Sequence, residues 1–112
     1  MKQIPAFMMN KNVVGATAFR LYCIFVQSNE SYPHRRSHRF TRGNLEQITK
    51  YSYNSIQKGL KQLFSLGLIK IDPFDITRTH FIINSPENFN WKEINRRQGL
   101  KFERAPETDE DF

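Results

Sequence analysis

The sequence predicts an α+β fold: a three-helix core, a β-hairpin and a short C-terminal helix. Three observations carry that expectation. Residues 41–71 read as a short helix, a tight turn, a longer helix and the start of a strand. A β-branched segment at 76–84 follows the turn-forming residues Asp72, Pro73 and Asp75, the pattern of a hairpin. At 112 residues and 38% hydrophobic content there is room for one core and not two.

In chain order, residues 4–9 suggest an edge strand, where Pro5 is tolerated. Asn12 offers a cap for a helix over 13–27, with Val14, Ala18, Leu21, Tyr22 and Phe25 on one face. Turn chemistry at 28–33 ends it, and 34–39 is a basic loop without an apolar residue. Thr41 caps the next helix, which turns Leu45 and Ile48 inward. Tyr51 and Ser52 interrupt the pattern, and Ser52 caps a second helix with Ile56, Leu60, Leu63 and Phe64 as its buried stripe. Gly67 ends that helix before a strand at 68–71.

If the hairpin turn pairs Asp72 near Ile76, Lys70 and Arg78 face each other across the ladder, an unfavourable pair that a phosphate relieves. The last helix carries strong local signals: Asn90 as N-cap, Glu93 completing a capping box, Phe89 and Ile94 as a hydrophobic staple, Gly99 as C′ residue. Trp91 shares the Ile94 side, and Arg96 and Arg97 lie on outer turns. This helix packs back on the first helix or against a second subunit. The folded domain spans 1–102, and the acidic segment 103–112 has almost nothing to bury and is expected to be disordered.

The net charge of +6 conceals a division. Residues 1–102 hold 16 Lys and Arg against 6 Asp and Glu, a balance of +10, while the tail carries −4. Such a charge on a small domain implies a polyanionic partner, with the tail competing for the same surface. An anionic membrane is the weaker expectation, because the basic residues do not share one helix with an opposing apolar face. The longest apolar run, 21–26, is too short for a membrane span or a signal peptide. Cys23 is the sole cysteine and is read as a small buried hydrophobe, so no internal disulfide exists and a reducing cytoplasm is the expected compartment.

Helical spacing leaves Tyr53, Asn54, Ser55, Gln57, Lys58, Lys61 and Gln62 on the free face of the second helix of the 41–71 segment. That face is polar, cationic and free of carboxylates, as a DNA major groove requires. Base readout is assigned to Tyr53, Asn54, Ser55, Gln57, Lys58 and Lys61, with Asn54 or Gln57 suited to adenine and Lys58 to guanine. Arg35, Arg36, Arg39, Thr41, Arg42, Lys70 and Arg78 are the candidate phosphate contacts, since they can position a duplex without reading it. The basic run at 34–39 has no acid within it and would repel itself unless an anion lies nearby.

The exit from that helix, Leu63-x-x-Leu66-Gly67-Leu68-Ile69-Lys70-Ile71, resembles the passage from recognition helix to wing in winged helix-turn-helix DNA-binding domains. Ile4-Pro5, Gly15-Ala16, Leu21-Tyr22 and Phe40-Thr41-Arg42-x-x-Leu45 are similar to the N-terminal modules of plasmid and phage replication initiators. The resemblance covers about 13–84. It implies a winged helix with a β-hairpin wing, double-stranded DNA as partner and a homodimer on repeated or symmetric sites. Those initiators carry a second winged helix, which this sequence does not show. Its length fits a small phage or plasmid transcriptional regulator, or a replication or partition factor.

No catalytic constellation is present. His34, His38 and His80 are scattered, zinc-type Cys/His spacing is absent, and the five glycines are isolated, so no enzyme, metal, cofactor or small-molecule ligand is expected. The rival from another class is a protein-interaction adaptor with the same fold, which would more often expose apolar residues on the free helix face. RNA binding usually displays aromatic platforms on a sheet, and Phe74 and Phe81 alone do not make one.

Overall fold

Local signals start and stop most of the helices. The computed structural model describes residues 4–99. Within them are α1 (Ala16–Ser31), β1 (His38–Arg39), α2 (Arg42–Thr49), α3 (Tyr53–Ser65), β2 (Ile69–Ile71), β3 (His80–Ile83) and α4 (Trp91–Arg97). The three strands form one antiparallel sheet in the order β1-β3-β2, giving a small α+β domain.

Val14, Ala18, Leu21, Tyr22 and Phe25 are all buried, as their spacing requires. The helix they serve, however, starts at Ala16 and ends at Ser31, not at 13 and 27. Asn10 accepts the Asn12 N–H at 2.9 Å and holds 10–14 as a turn, so Asn12 caps nothing. The Gly15 N–H is satisfied from a distant element, by Gln62 Oε1 at 2.9 Å. At the other end Ser28 and Asn29 contact His38 of β1, and these partners accompany the extra turn of helix. Residues 4–9 are not an edge strand. A 3₁₀ turn, Ala6–Met9, buries Met8 and sets the adjacent Phe7 edge-on against Phe89 and Trp91, whereas a strand would turn these two neighbours to opposite faces.

Thr41 and Asn44 form a reciprocal capping box at α2, each side chain accepting the other's backbone N–H at 3.1 Å. Leu45 is buried, but Ile48 is 47% exposed and Thr49 occupies the interior in its place. The Thr49 hydroxyl donates to the Leu45 carbonyl at 2.7 Å, and Lys50 at φ 63° ends the helix before another turn can form. Ser52 then caps α3 by accepting the Ser55 N–H at 3.2 Å. Ile56 and Leu63 are fully buried, each contributing about 1.5–3 kcal/mol. Leu60 is half-buried and Phe64 sits at the boundary, 37% exposed and stacked on Phe81.

Gly59 sets the approach of α3 to α1, since a Cβ there would lie 2.8 Å from Leu21 Cδ1. Gly67, at φ 72°, turns the chain out of α3 in the left-handed conformation expected of a C′ glycine.

β2 and β3 make the hairpin, with Ile69 opposite Ile83, Lys70 opposite Ile82 and Ile71 opposite Phe81. The second strand begins at His80 rather than 76, because the Asp75 carboxylate captures the N–H groups of Thr77, Thr79 and His80 and builds a loop there. Lys70 and Arg78 therefore never face each other. His38 and Arg39, expected in the basic loop, form a strand against Phe81 and His80.

At α4 Asn90 accepts the Glu93 N–H at 3.2 Å, but the capping box is incomplete. The Asn90 N–H donates to the Leu66 carbonyl at 2.8 Å, and Glu93 turns to Arg96 and Arg97. Phe89 and Ile94 are both buried. Arg97 is no outer residue: it reaches the Val13 carbonyl at 3.1 Å and Ser65 Oγ at 3.2 Å, joining α4 to the approach to α1 and the end of α3. The expected disorder of 103–112 lies outside the described residues.

Candidate nucleic-acid interface

With Ile56 and Leu63 turned inward, the periodicity of α3 aims Asn54, Gln57, Lys58 and Lys61 outward, and all four are exposed. They form one wall of an open cleft of about 680 Å³. The loop residues Thr77, Arg78 and Thr79 form the facing wall, and Phe40, Leu45, Leu60, Phe64, Ile71 and Phe81 line it between them. Arg42 enters from the start of α2. Four cations, Arg42, Lys58, Lys61 and Arg78, thus surround a space that no carboxylate among the described residues lines. Like charges converging on a partly apolar cleft focus a positive potential there and attract phosphate.

Several predicted site residues lie elsewhere or are already engaged. Tyr53 is 45% exposed but carries the Arg42 guanidinium over its ring, so it supports a cation at the mouth of the cleft. Ser55 is half-buried and receives the Ser52 hydroxyl at 3.1 Å, which places it in the cap of α3 and not on the open face. Gln62 faces Gly15 at the start of α1. Thr41 uses its hydroxyl in the α2 capping box. Arg39 and Lys70 alternate with Phe81-facing neighbours in their strands, so both point to the side of the sheet away from the cleft.

Arg35 is exposed and lies over the Tyr32 ring, near the end of α1. Arg36 contacts Asp72 at 3.3 Å and covers Phe74, tying the basic loop to the hairpin. His38 is not part of the exposed loop at all. It is 3% exposed, with Ser28 Oγ 3.0 Å from Nδ1 and Asn29 Oδ1 3.3 Å from Nε2. Burial, followed by the nearby charge of Arg35, holds its pKa below the usual histidine value.

The feature that sequence reasoning missed is the role of Asp75. Its carboxylate accepts hydrogen bonds from the Thr77 N–H at 2.9 Å, from the Thr79 and His80 N–H groups at 2.8 Å, from His80 Nδ1 at 2.9 Å and from the Thr77 hydroxyl. The Thr77 hydroxyl is the largest of the influences that hold this carboxyl far below its usual range; His80 and the backbone donors add to it, while burial opposes them. The loop so closed sets Arg78 at φ 59°, on the cleft. Asp75-Ile76-Thr77 is the local signal that could have revealed it, since an aspartate two residues before a threonine is Asx-turn chemistry.

A second groove, of about 530 Å³, runs between Tyr22, Ile83, Phe89 and Trp91 and has no charged lining among the described residues. Among the described residues no group of three or more His, Cys, Asp or Glu could hold a metal ion, and no helix is long and apolar enough to cross a membrane. Comparison with protein-family models, with curated proteins and with solved structures gives no match for this chain.

Proposed function

We propose that this protein is a winged helix-turn-helix domain that binds double-stranded DNA sequence-specifically, as a small non-enzymatic regulator of phage or plasmid type. The carrying observation is the cleft: α3 and the β2–β3 loop face each other with Arg42, Lys58, Lys61 and Arg78 around it and no carboxylate among the described residues in its lining. The element order α1-β1-α2-α3-β2-β3 and the strand order β1-β3-β2 support the winged-helix assignment. In this arrangement α3 enters the major groove, Asn54, Gln57 and Lys58 meet base edges, and the remaining cations hold phosphate. A homodimer would place two such helices about one helical turn apart on a symmetric site.

The rival, an adaptor that binds protein instead, draws on the exposed Phe74 and Ile76. Selection of bound fragments from random duplex DNA at two salt concentrations separates the two. Enrichment of one sequence is the expected result, and Gln57→Ala and Lys58→Ala should each lose about 1–3 kcal/mol of preference at one or two base positions. Retention of no duplex at low salt would favour the adaptor, whereas full preference in both variants would place base readout outside Gln57 and Lys58.

A further inference from the structure

The β2–β3 loop holds two large apolar side chains in solvent: Ile76 is 95% exposed and Phe74 80%. On a loose loop such exposure would mean little, but this loop is built around two carboxylates. Asp72 accepts the Phe74 N–H at 3.0 Å, and its carbonyl accepts the Asp75 N–H at 3.0 Å. Asp75 gathers the donors of Thr77, Thr79 and His80. Both acids are thereby turned inward, with side chains 12% and 10% exposed. The outward surface of the tip is aliphatic and aromatic, flanked by Arg78 on the cleft and by Arg36 over the Phe74 ring at 4.8 Å. A negative tip would be repelled by a duplex; this one presents apolar bulk beside cations.

We propose that Ile76 is a wedge that enters the minor groove of a bound duplex and partly unstacks one base step. The proposal rests on the duplex-binding function above. Cations on both walls suit the cleft to a single phosphate strand, Lys61 from α3 and Arg78 from the loop. Each strand of a duplex separates the major groove from the minor. With α3 in the major groove on one side of that strand, the loop on its other side faces the minor groove. An aliphatic side chain there has no group to read the base edges, and it gains only by leaving water against unstacked bases. Unstacking is cheapest at pyrimidine–purine steps, so Ile76 adds preference for such a step where no side chain reads the sequence directly.

The test uses the full chain and its selected duplex, with a fluorescent adenine analogue placed in turn at each flexible step and dyes at the duplex ends. On binding, one probe position should brighten and the ends should approach as the duplex bends. Ile76→Ala touches little in the fold, so it should remain folded, abolish both signals and weaken specific binding about tenfold. Ile76→Met, which keeps apolar bulk, should retain most of both. Full brightening and bending with Ile76→Ala, or neither signal with the wild-type protein on its preferred site, overturns the wedge and leaves duplex binding standing. A wild-type protein without preference among duplexes overturns duplex recognition itself, and the wedge with it.

Discussion

The guanidinium carbon of Arg42 lies 4.1 Å from the centroid of the Tyr53 ring, joining the first residue of α2 to the first residue of α3. The contact holds a cation at the mouth of the cleft with no ion-pair partner among the described residues to cancel its charge. Replacing Tyr53 with Ala removes a platform worth about 0.5–1 kcal/mol. Binding to selected and random duplexes should fall by similar factors, because the role proposed for Arg42 is phosphate contact, and Tyr53→Phe should restore most of it. Fluorescence anisotropy with both duplexes checks this, and a loss confined to the selected site would instead make Tyr53 a base reader.

The division of cations between the two sides of the sheet predicts unequal salt effects. Arg42, Lys61 and Arg78 line the cleft, whereas Arg39 lies on the opposite side of the sheet and Arg35 near the end of α1. Replacing the first three with Ala should lower the slope of log affinity against log salt by roughly one unit per lost contact. The pair Arg35→Ala and Arg39→Ala should leave the slope nearly unchanged. Equal reductions in both sets would move the phosphate path across the sheet.

His38 makes stability dependent on pH. Its folded pKa is lowered by burial and by Arg35, below the ordinary value of 6.5. Above pH 6.5 both folded and unfolded states hold it neutral and its contribution is fully present. As pH falls below that value, the unfolded chain takes up a proton that the folded chain resists, and stability declines until the lowered pKa is passed. Urea melts between pH 8 and about pH 5 should show this loss in the wild-type protein and a smaller one in His38→Gln. Parallel curves for the two proteins would remove His38 as the source.

Gly67 is the position where a methyl group should cost most. Its φ of 72° disfavours any side chain, and a Cβ would lie 2.8 Å from the Asn90 nitrogen and 2.9 Å from the Asn88 oxygen, both backbone atoms with no freedom to retreat. Gly67→Ala should lose about 1–3 kcal/mol, seen as a lower midpoint in thermal or urea melts. An unchanged midpoint would mean that the α3–β2 turn relaxes without strain.

What was legible in the sequence is what neighbours along the chain decide. Thr41, Ser52 and Asn90 cap helices because their side chains reach an N–H three residues away, and Gly67 ends α3 because only glycine adopts that turn freely. The outward set Asn54, Gln57, Lys58 and Lys61 follows from the helical period alone. The tertiary structure decided what depends on distant partners. Gln62 satisfies Gly15 across 47 residues, His38 becomes a buried strand residue against α1, and Arg97 turns inward to Val13. Ile48 yields the interior to Thr49 because Lys50 stops the helix, and Asp75 replaces the first rungs of a strand with its own hydrogen bonds. The facing of Arg78 toward Lys58 and Lys61 belongs to this second kind, since no local pattern brings a hairpin loop opposite a helix.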